Sequence, residues 1–314
     1  MIEIVDEDAT RVFAEHRELL FSVVYNMLGS VADTEDVLQD TWLAWVSRNQ
    51  ADGPEIEHPR AYLVRVAVNH TLGRRAAINR RRETYFGPWL PEPLVSDESA
   101  VRDNADASEP ALRAESVSMA MLVVLETLTP LERAVFVLHD VFGYPHADIA
   151  DMLGRNTAAV RQLAHRAREH VHARRPRHQA DRRVQREVTE KFLAAQLGGD
   201  LTGLLALLAP DVTFWSDGGG KLRAALRPIY GVDKVARLIT SPIVLGHVSE
   251  LNIRHRLVNG DPSAVVYSGD APFAVVVLDI DPATEQIRGI YAVANPDKLT
   301  RIASDPKEHT AQPE

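Results

Sequence analysis

The sequence contains no cysteine, and this absence excludes disulfide bonds, thiol catalysis and cysteine-ligated zinc. No apolar run approaches the roughly 18 residues that a membrane-spanning helix needs. The first residues, MIEIVDEDATRVF, are acidic and have no continuous apolar core, so we expect no signal peptide. These absences predict a soluble, cytoplasmic protein in a reducing compartment.

Negative charge exceeds positive charge over the whole sequence. The 314 residues include 35 Lys and Arg against 44 Asp and Glu, which gives a formal net charge of −9. Between Arg155 and Arg186, however, ten arginines are opposed only by Glu169 and Asp181. Nucleic-acid binding depends on such a local patch rather than on the total charge. This segment is therefore the candidate for it.

The stretch Pro145–Arg168 predicts two short helices joined by a sharp turn. Gly154 can take the left-handed conformation that ends the first helix, and Asn156 is a good N-cap for the second. Apolar side chains at helical spacing define the buried faces. They are Ile149, Ala150 and Leu153 in the first helix and Val160, Ala164 and Ala167 in the second.

The second helix admits two interpretations. Its thin stripe of small apolar residues allows tight packing, while Arg161, Gln162, His165, Arg166 and Arg168 remain outside. Donors and positive charge on a tightly packed helix are what a major-groove recognition helix requires. The alternative is an ordinary helical hairpin with a solvated basic face, since two-helix motifs with glycine turns are common. The rest of the chain favours DNA binding.

Shifts in composition divide the chain into five parts. We expect a helical domain at 1–82, an acidic linker with prolines at 83–116, a second helical domain at 117–178, a domain of helices followed by strands at 179–300, and a flexible tail at 301–314. The linker is too acidic and too rich in proline to fold alone. Within it, Trp89 and Leu90 of GPWLPEPL indicate either docking on another surface or plain packing.

Local signals predict individual elements. Thr129–Glu132 (TPLE) combines a capping box with proline at the first helical position, a strong helix start. Asp33 is expected to cap the second helix, and Asp200 to cap a later one that Pro210 ends. Beyond Pro210, apolar runs bounded by turn signals, KLRAAL among them, predict strands. Helices followed by a curled antiparallel sheet predict an α+β domain with the sheet wrapped around the helices as a cone.

These pieces resemble a known family. DTEDVLQDTWLAW and PRAYLVRVAVNHTLGRR are similar to region 2 of the extracytoplasmic-function RNA polymerase sigma factors, and LETLTPLERAVFVLHDVFGYPHADIADMLG and TAAVRQLAHRARE to region 4. The tail resembles the SnoaL-like, NTF2-type fold, and GPWLPEPL, DGGGK and NPDKL are similar to pieces of the SigJ-type subgroup. The resemblance covers about residues 8–299. It implies a multidomain protein: a region 2 helical bundle, a region 4 helix-turn-helix and an α+β cone-shaped SnoaL/NTF2-like domain.

The resemblance implies a promoter-specificity subunit of bacterial RNA polymerase. In the first domain it assigns binding of the polymerase core, through its β and β′ subunits, to Asp36, Gln39 and Asp40. It assigns the −10 promoter element to Arg65, Asn69, His70 and Arg74. The loop 47–58 corresponds to the one that captures a flipped base. Without the resemblance, Asp36 and Asp40 are typical of solvated helix charges, and Arg65 and Arg74 are compatible with plain surface arginines.

In the second domain the resemblance assigns the −35 element to the recognition helix. The implied readers are Arg161, Gln162, His165 and Arg166, with Arg155 and Asn156 near phosphate. Leu163 departs from the family pattern, which commonly has a basic or polar residue there. The departure predicts fewer or shifted −35 contacts.

The sequence of the C-terminal domain is compatible with several roles for its polar residues and its glycine turn. Cone-type folds usually enclose a pocket, and Trp215, Asp217, Tyr230, His247, His255 and Tyr291 are candidates to line it. The turn of Asp217, Gly218, Gly219, Gly220 and Lys221 is at least a tight glycine turn, and its amides with Lys221 could form an anion nest. The resemblance favours a third role, in which this turn packs against the sigma domains or the linker. Its partner motif is Asn295, Pro296, Asp297, Lys298 and Leu299.

Three functions follow. The favoured one is a sigma factor regulated in cis by its C-terminal domain, with core polymerase and promoter DNA as partners and a small ligand in the C-terminal pocket as a further candidate. The second is a DNA-binding protein that carries a working cyclase or isomerase domain; no catalytic dyad can be identified from the spacing. The third is a repressor that never meets polymerase. We expect no enzymatic activity, no cofactor, no metal and no membrane partner.

Overall fold

The structure, a computed structural model, describes residues 7–50, 56–96, 117–173, 180–241 and 251–303. These residues form two compact units. Unit 1 holds residues 7–50, 56–84, 117 and 121–173, and unit 2 holds residues 85–96, 118–120, 180–241 and 251–303. Most of the predicted linker (97–116), part of the predicted base-capturing loop (51–55) and the tail from 304 lie outside the described residues.

Unit 1 is helical. Its elements are α1 (Glu7–Leu28), α2 (Val31–Gln50), α3 (Pro59–Glu83), most of α4 (Met119–Leu125), α5 (Pro130–Phe136), a π-helical turn (Val137–Val141), α6 (His146–Leu153) and α7 (Thr157–His172). The first three helices pack on one another, and α7 packs on α5 and α6. Both predicted all-α regions are therefore present. None of the helices in the described part of the chain combines the length and apolarity needed to cross a bilayer.

The two helical regions of unit 1 share one hydrophobic core. Leu20 and Leu63 from the first region and Val135 and Ile149 from the second are fully buried members of the same cluster. Helix α3 contacts both α5 and α6, and α1 contacts α5. In this conformation the two regions pack together as a single body.

A buried cluster of charges lies where these regions meet. Three arginines, two from α3 and one from α5, donate to the carbonyl groups that end α1, which α1 itself leaves without helical partners. The pairs are Arg133 Nε with Asn26 O (2.9 Å), Arg75 Nη1 with Met27 O (2.5 Å) and Arg82 Nη2 with Leu28 O (2.6 Å). All three guanidinium groups also form ion pairs with Glu126, which follows α4. We call these four residues the Glu126 cluster.

Charge and burial shift the pKa values in this cluster. Burial alone would raise the pKa of Glu126, but the positive charges of Arg133, Arg82 and Arg75 outweigh it and hold that pKa below its ordinary value. Burial, aided by the charge of Arg133, lowers the pKa of Arg75 to about 10. The carboxylate thus compensates charges that could not remain buried alone.

The predicted helix-turn-helix is confirmed. Gly154 has φ +59° and ends α6 in the left-handed conformation, and the Asn156 side chain accepts from Ala159 N at 2.8 Å to cap α7. The apolar stripe of α7 is buried as expected. Leu163, only 7% exposed, belongs to it, so this departure from the family pattern fills the core. In α6, Met152 is buried, whereas Leu153 is only half-buried.

Three local predictions in unit 1 have different outcomes. The capping box is present, with Glu132 N donating to Thr129 Oγ1 and Thr129 N to Glu132 Oε2. The prediction that Asp33 caps α2 is wrong, because α2 begins at Val31 and Asp33 N donates to Ser30 Oγ at 3.3 Å. Ser30 is the cap, and Asp33 lies in the first turn. Helix α2 also continues to Gln50, so the loop predicted from Ser47 starts later.

Unit 2 combines helices with one sheet. Its helices are α8 (Arg182–Gly198), α9 (Leu201–Leu207) and α10 (Val232–Ile239), with a 3-10 turn at Pro296–Lys298. Its strands are β1 (Val95–Ser96), β2 (Leu208–Asp217), β3 (Ile229–Tyr230), β4 (Leu251–Val258), β5 (Asp261–Ser268), β6 (Ala271–Ile280) and β7 (Ile287–Val293), in the order β1-β4-β5-β6-β7-β2-β3. Helix α8 packs on β5 and β6, and α10 on β2. The predicted α+β domain is confirmed.

The sheet corrects three expectations. It is mixed rather than antiparallel, because β2 and β7 pair in parallel after the meander β4 to β7 brings the chain back beside β2. The predicted strand KLRAAL is instead a turn, in which Leu222 N donates to Gly218 O and Ala225 N to Ser216 Oγ. Pro210 does not end α9 but lies inside β2, where the pairing with β7 is interrupted between Leu208 and Thr213. Proline cannot donate to a ladder, which fits this gap.

Candidate functional site

The recognition helix α7 presents its predicted −35 readers to solvent. All six of them, Arg155, Asn156, Arg161, Gln162, His165 and Arg166, are exposed. These six side chains differ in whether they already contact another side chain. Arg166 Nε lies 3.3 Å from Glu132 Oε1, and His165 pairs with Glu169 at 3.5 Å. Arg161 and Gln162 have no side-chain hydrogen bond or ion pair within the described part of the chain, so they are the most available for base contacts.

The predicted −10 residues on α3 do not form one group. Arg65 and Asn69 are exposed one turn apart, Arg65 with its guanidinium 5.5 Å from the Tyr62 ring centre. Asn69 Nδ2 lies 3.5 Å from Met152 O of α6, and His70 is half-buried. Arg74 lies on the other side of α3 from Arg65 and Asn69.

Arg74 joins the residues predicted to bind polymerase. Its Nη1 lies 2.8 Å from Asp36 Oδ2 and its Nη2 lies 3.1 Å from Asp40 Oδ2. The hydrogen bond to Asp36 raises the pKa of Arg74 most. Burial is the next largest effect and lowers it, but the charges of Asp40 and Asp36 raise it further, so the pKa stays above its ordinary value. The structure therefore brings Asp36 and Asp40 together with a residue assigned to DNA.

The outer face of α2 is a continuous exposed stripe. Its members, at spacings of four and three, are Ala32, Asp36, Gln39, Leu43 and Ser47. Leu43 is 56% exposed, and sequence reasoning missed it, although its position one turn beyond Gln39 places it on the same face. An apolar side chain in the middle of an acidic and polar face is suited to contact with another protein.

Part of the predicted linker folds onto the C-terminal domain. We call residues 85–96 the strap. Its end forms β1, which pairs with β4 through Val95 and Val258, and Leu94 O accepts from Asn259 N at 2.9 Å. Leu90 is fully buried. GPWLPEPL is therefore packed against the C-terminal part of unit 2 and is not a free spacer.

The strap is held by one buried carboxylate. Asp217, at the end of β2, is 1% exposed and accepts four hydrogen bonds, which define the Asp217 cluster. The donors are Tyr85 OH (2.6 Å), Leu90 N (2.9 Å), Gly219 N (3.1 Å) and Lys298 Nζ (2.7 Å). Two of the donors belong to the strap and two to the C-terminal domain, so the carboxylate joins these segments.

Two side chains complete this site. Lys298 donates to Leu90 O and lies 4.1 Å from the Trp89 ring centre, a cation–π arrangement. The Tyr85 hydroxyl donates to Asp217 and accepts from Asn295 Nδ2 at 2.7 Å. Burial, followed by the hydrogen bond to Asp217, raises the pKa of Tyr85 well above its ordinary value. The phenol therefore remains a donor.

This geometry distinguishes the readings of the glycine turn. Gly219 has φ +61°, and a Cβ added there would lie 2.4 Å from Asn295 Cγ. The turn thus needs glycine both for its conformation and for the close approach of NPDKL. Two of its donors already have acceptors within the protein, because Gly219 N donates to Asp217 and Lys221 Nζ to Asp297 at 2.6 Å. Packing with NPDKL against the linker, the third reading, is the arrangement present.

The residues predicted to line a pocket in unit 2 are brought together only in part, because Trp215 on β2 and Tyr291 on β7 are register partners. Tyr230 and His255 are exposed, on β3 and β4 at opposite ends of the strand order, so an inward orientation is wrong for both. Trp215 is half-buried and Tyr291 buried. His247 lies outside the described residues. Within the ranges that the structure covers, no three His, Asp or Glu side chains are grouped so that they could hold a metal ion.

Comparison with known proteins agrees with both helical regions. The family described as Sigma-70 region 2 matches residues 12–84, and the family described as Sigma-70, region 4 matches residues 118–171. The ECF RNA polymerase sigma factor SigJ of Mycobacterium tuberculosis is 38% identical over 318 residues, covering 96% of this chain and 96% of that protein. The probable ECF RNA polymerase sigma factor SigI of the same organism is 28% identical over 295 residues, covering 92% of this chain and 94% of that protein.

A solved structure extends the likeness to the whole fold. The crystal structure of the Mycobacterium tuberculosis extracytoplasmic function sigma factor SigJ matches with a TM-score of 0.70 and 36% identity, covering 93% of this chain and 98% of that one. The protein therefore belongs to the extracytoplasmic-function family of RNA polymerase sigma factors.

Proposed function

We propose that this protein directs core RNA polymerase to specific promoters and starts transcription there, under the control of its own C-terminal domain. The observation that carries the proposal is the presence, in one chain, of a helix-turn-helix with a free reading face and an α2 face of acidic, amide and apolar side chains. The first suits DNA and the second suits a basic protein surface. A repressor needs only the first.

Each surface has a proposed role. On α7, Arg161 and Gln162 read bases of the −35 element, His165 and Arg166 flank them, and Arg155 and Asn156 approach phosphate. On α3, Arg65, Asn69 and His70 contact the −10 element. On α2, Asp36, Gln39 and Asp40 bind the β and β′ subunits of the core.

The proposed regulation acts through the strap. Residues 85–96 belong to the chain between the two DNA-reading regions, and the Asp217 cluster holds them on the C-terminal domain. The C-terminal domain thereby controls how much of the linker is free. The motifs proposed for this role are DGGGK and NPDKL, which contact each other through Lys221 and Asp297. A small ligand of this domain remains a proposal supported only by its fold type.

The enzymatic alternative finds little support in the geometry of Asp217. A general base must reach a substrate proton, whereas this carboxylate is 1% exposed and accepts from four protein donors. The exposed Tyr230 and His255 are not near one another in the strand order. These observations favour a structural and regulatory role for Asp217.

Run-off transcription with purified core polymerase tests the proposal. The full chain should give promoter-dependent transcripts, and Asp40→Arg should abolish them by placing a positive charge against the basic protein surface that the acidic face of α2 is proposed to meet. A repressor would not be retained by immobilised core, and Asp40→Arg would change nothing. Removal of residues after 180 should change the transcript level; an unchanged level would contradict regulation in cis.

A further inference from the structure

One arginine of α3 has a position that its assigned role does not explain. We propose that Arg74 is a positioning residue of the polymerase-binding surface, where it orients Asp36 and Asp40, and that it does not read the −10 element. The inference rests on the proposed function, because it assumes that these two acids bind core polymerase.

The first observation is the direction in which Arg74 projects. A helix turns by about 100° per residue, so Arg65 and Asn69, four residues apart, lie on nearly the same side of α3. Arg74 is nine residues beyond Arg65 and therefore lies on about the opposite side. Arg81, seven residues further, returns to the side of Arg74 and pairs with Asp33 of α2 at 2.5 Å. Arg74 and Arg81 thus form a row that faces α2, away from Arg65 and Asn69.

The second observation is how the guanidinium divides its donors. Nη1 binds one carboxylate and Nη2 the other, each through Oδ2. Oδ1 of both carboxylates has no partner in the parts of the chain that the structure describes. Asp36 and Asp40 are one turn apart and repel each other. Arg74 offsets that repulsion and fixes both groups with one acceptor oxygen still open.

The third observation is exposure. The Arg74, Asp36 and Asp40 side chains are 36%, 59% and 38% exposed, so the pairs are accessible to a partner. Ion pairs with this exposure contribute little to stability. Removing Arg74 should therefore leave the fold intact, and a binding effect can be separated from unfolding.

The test compares two steps with the full-length protein. The first is the Kd for core polymerase, and the second is opening of the −10 element by fully assembled holoenzyme, followed with a fluorescent base in the promoter. Arg74→Ala should raise the Kd for core about fivefold without changing the opening. Arg74→Lys should fall between, since an ammonium can hold one carboxylate but not both. Arg65→Ala is the matched control, with an unchanged Kd for core and weaker opening.

A double-mutant cycle separates positioning from an independent contact. With Asp36→Asn and Asp40→Asn already present, Arg74→Ala should have no further effect on the Kd for core. An additive effect, tighter binding of core by Arg74→Ala, or weaker opening at saturating holoenzyme would each overturn the proposal. Dependence of core binding on Asp36 and Asp40 but not on Arg74 would overturn only this inference. Failure of the unaltered chain to bind core would overturn the proposed function as well.

Discussion

The Asp217 carboxylate is 1% exposed and faces a Lys298 side chain that is 11% exposed. Asp217→Asn removes the negative charge and leaves the ammonium buried without its compensating charge. We expect a loss of about 3 kcal/mol or more in the free energy of unfolding of unit 2, measured by denaturant unfolding. Asp297→Asn is the matched control, because the Lys221–Asp297 pair is 55% and 64% exposed and should contribute no more than about 1 kcal/mol. Equal effects of the two substitutions would contradict this account.

Two glycines allow the cost of a left-handed backbone conformation to be measured separately from the cost of a steric clash. Gly219 and Gly269 have φ of +61° and +60°, but only at Gly219 would a Cβ meet another group, Asn295, within 4 Å. Alanine at either position should cost about 1 kcal/mol for the left-handed conformation. Gly219→Ala should lower the free energy of unfolding by about a further 1–3 kcal/mol because of the clash. Thermal unfolding of the two variants measures the difference, and similar midpoints would show that Asn295 moves aside freely.

Arg161 is the exposed arginine of α7 that has no ion pair in the described ranges. If it forms a bidentate contact with a base, Arg161→Ala should cost about 1–3 kcal/mol at one −35 position and relax the preference there. Binding to a set of promoters changed at single positions measures this. Equal weakening on every sequence would identify a phosphate contact instead.

The residues that could be predicted from the sequence are those whose partners are close along the chain. Asn156 caps through Ala159, and Thr129 pairs with Glu132, so spacing alone identifies them. The partners of Arg74 and Asp217 could not be predicted in this way. Asp36 is 38 positions from Arg74, and Tyr85 is 132 positions from Asp217. Only the packed chain brings such groups together.

At the scale of elements, the Glu126 cluster ties α1 and α3 to the start of the region 4 helices. Its arginines have side chains that are only 6%, 14% and 1% exposed. Glu126→Gln should destabilise unit 1 by about 3 kcal/mol, because three buried cations would remain without an anion. Glu35→Gln, which affects a surface pair with Arg17, should change the free energy of unfolding by no more than about 1 kcal/mol.

The pH dependence gives an independent check. The pKa of Glu126 is lower in the folded protein than its ordinary value, so the stabilisation is complete above the ordinary value of about 4.3 and is lost as pH falls through the folded pKa. The difference in unfolding free energy between wild type and Glu126→Gln should therefore shrink in acid. A difference independent of pH would indicate that the charge of Glu126 is not its cause.

Elements with strong local periodicity and caps were predicted well, whereas those defined by distant pairing were not. The helix-turn-helix follows from spacings within Pro145–Arg168. The two-residue strand β1 has no periodicity of its own and exists because β4 offers an edge. KLRAAL alternates like a strand, but its backbone bonds are taken by Gly218 and Ser216. The alternating pattern alone could not show whether KLRAAL would pair with a neighbouring strand or bond to the turn that precedes it.

At the scale of the molecule, the shared core of unit 1 conflicts with simultaneous reading of two promoter elements. Their centres are about 25 base pairs apart, roughly 85 Å at about 3.4 Å per pair. A compact unit of about 150 residues has a radius of gyration of about 15 Å. If the two helical regions read both elements as proposed, we expect them to separate first.

A reversible crosslink tests this separation. Because the chain has no cysteine, Ala61→Cys on α3 and Asp148→Cys on α6, which both line one surface pocket, would supply the only two thiols. Joining them with a short, cleavable reagent should reduce transcription from a two-element promoter by about tenfold or more. Cleavage of the reagent should restore transcription. The uncrosslinked double variant is the control. Full activity of the crosslinked protein would show that the shared core does not have to open.

The four donors that converge on Asp217 have a consequence for how the strap leaves. When one donor departs, water reaches the carboxylate and weakens the remaining bonds, since a buried network is worth more than its separate parts. Release is therefore cooperative, and the strap has two states, bound and free, with few intermediates. A signal that favours either state shifts their populations by its difference in affinity for them. Amide hydrogen exchange would report this as a common opening free energy for Leu90 and Asn259, two residues far apart in sequence.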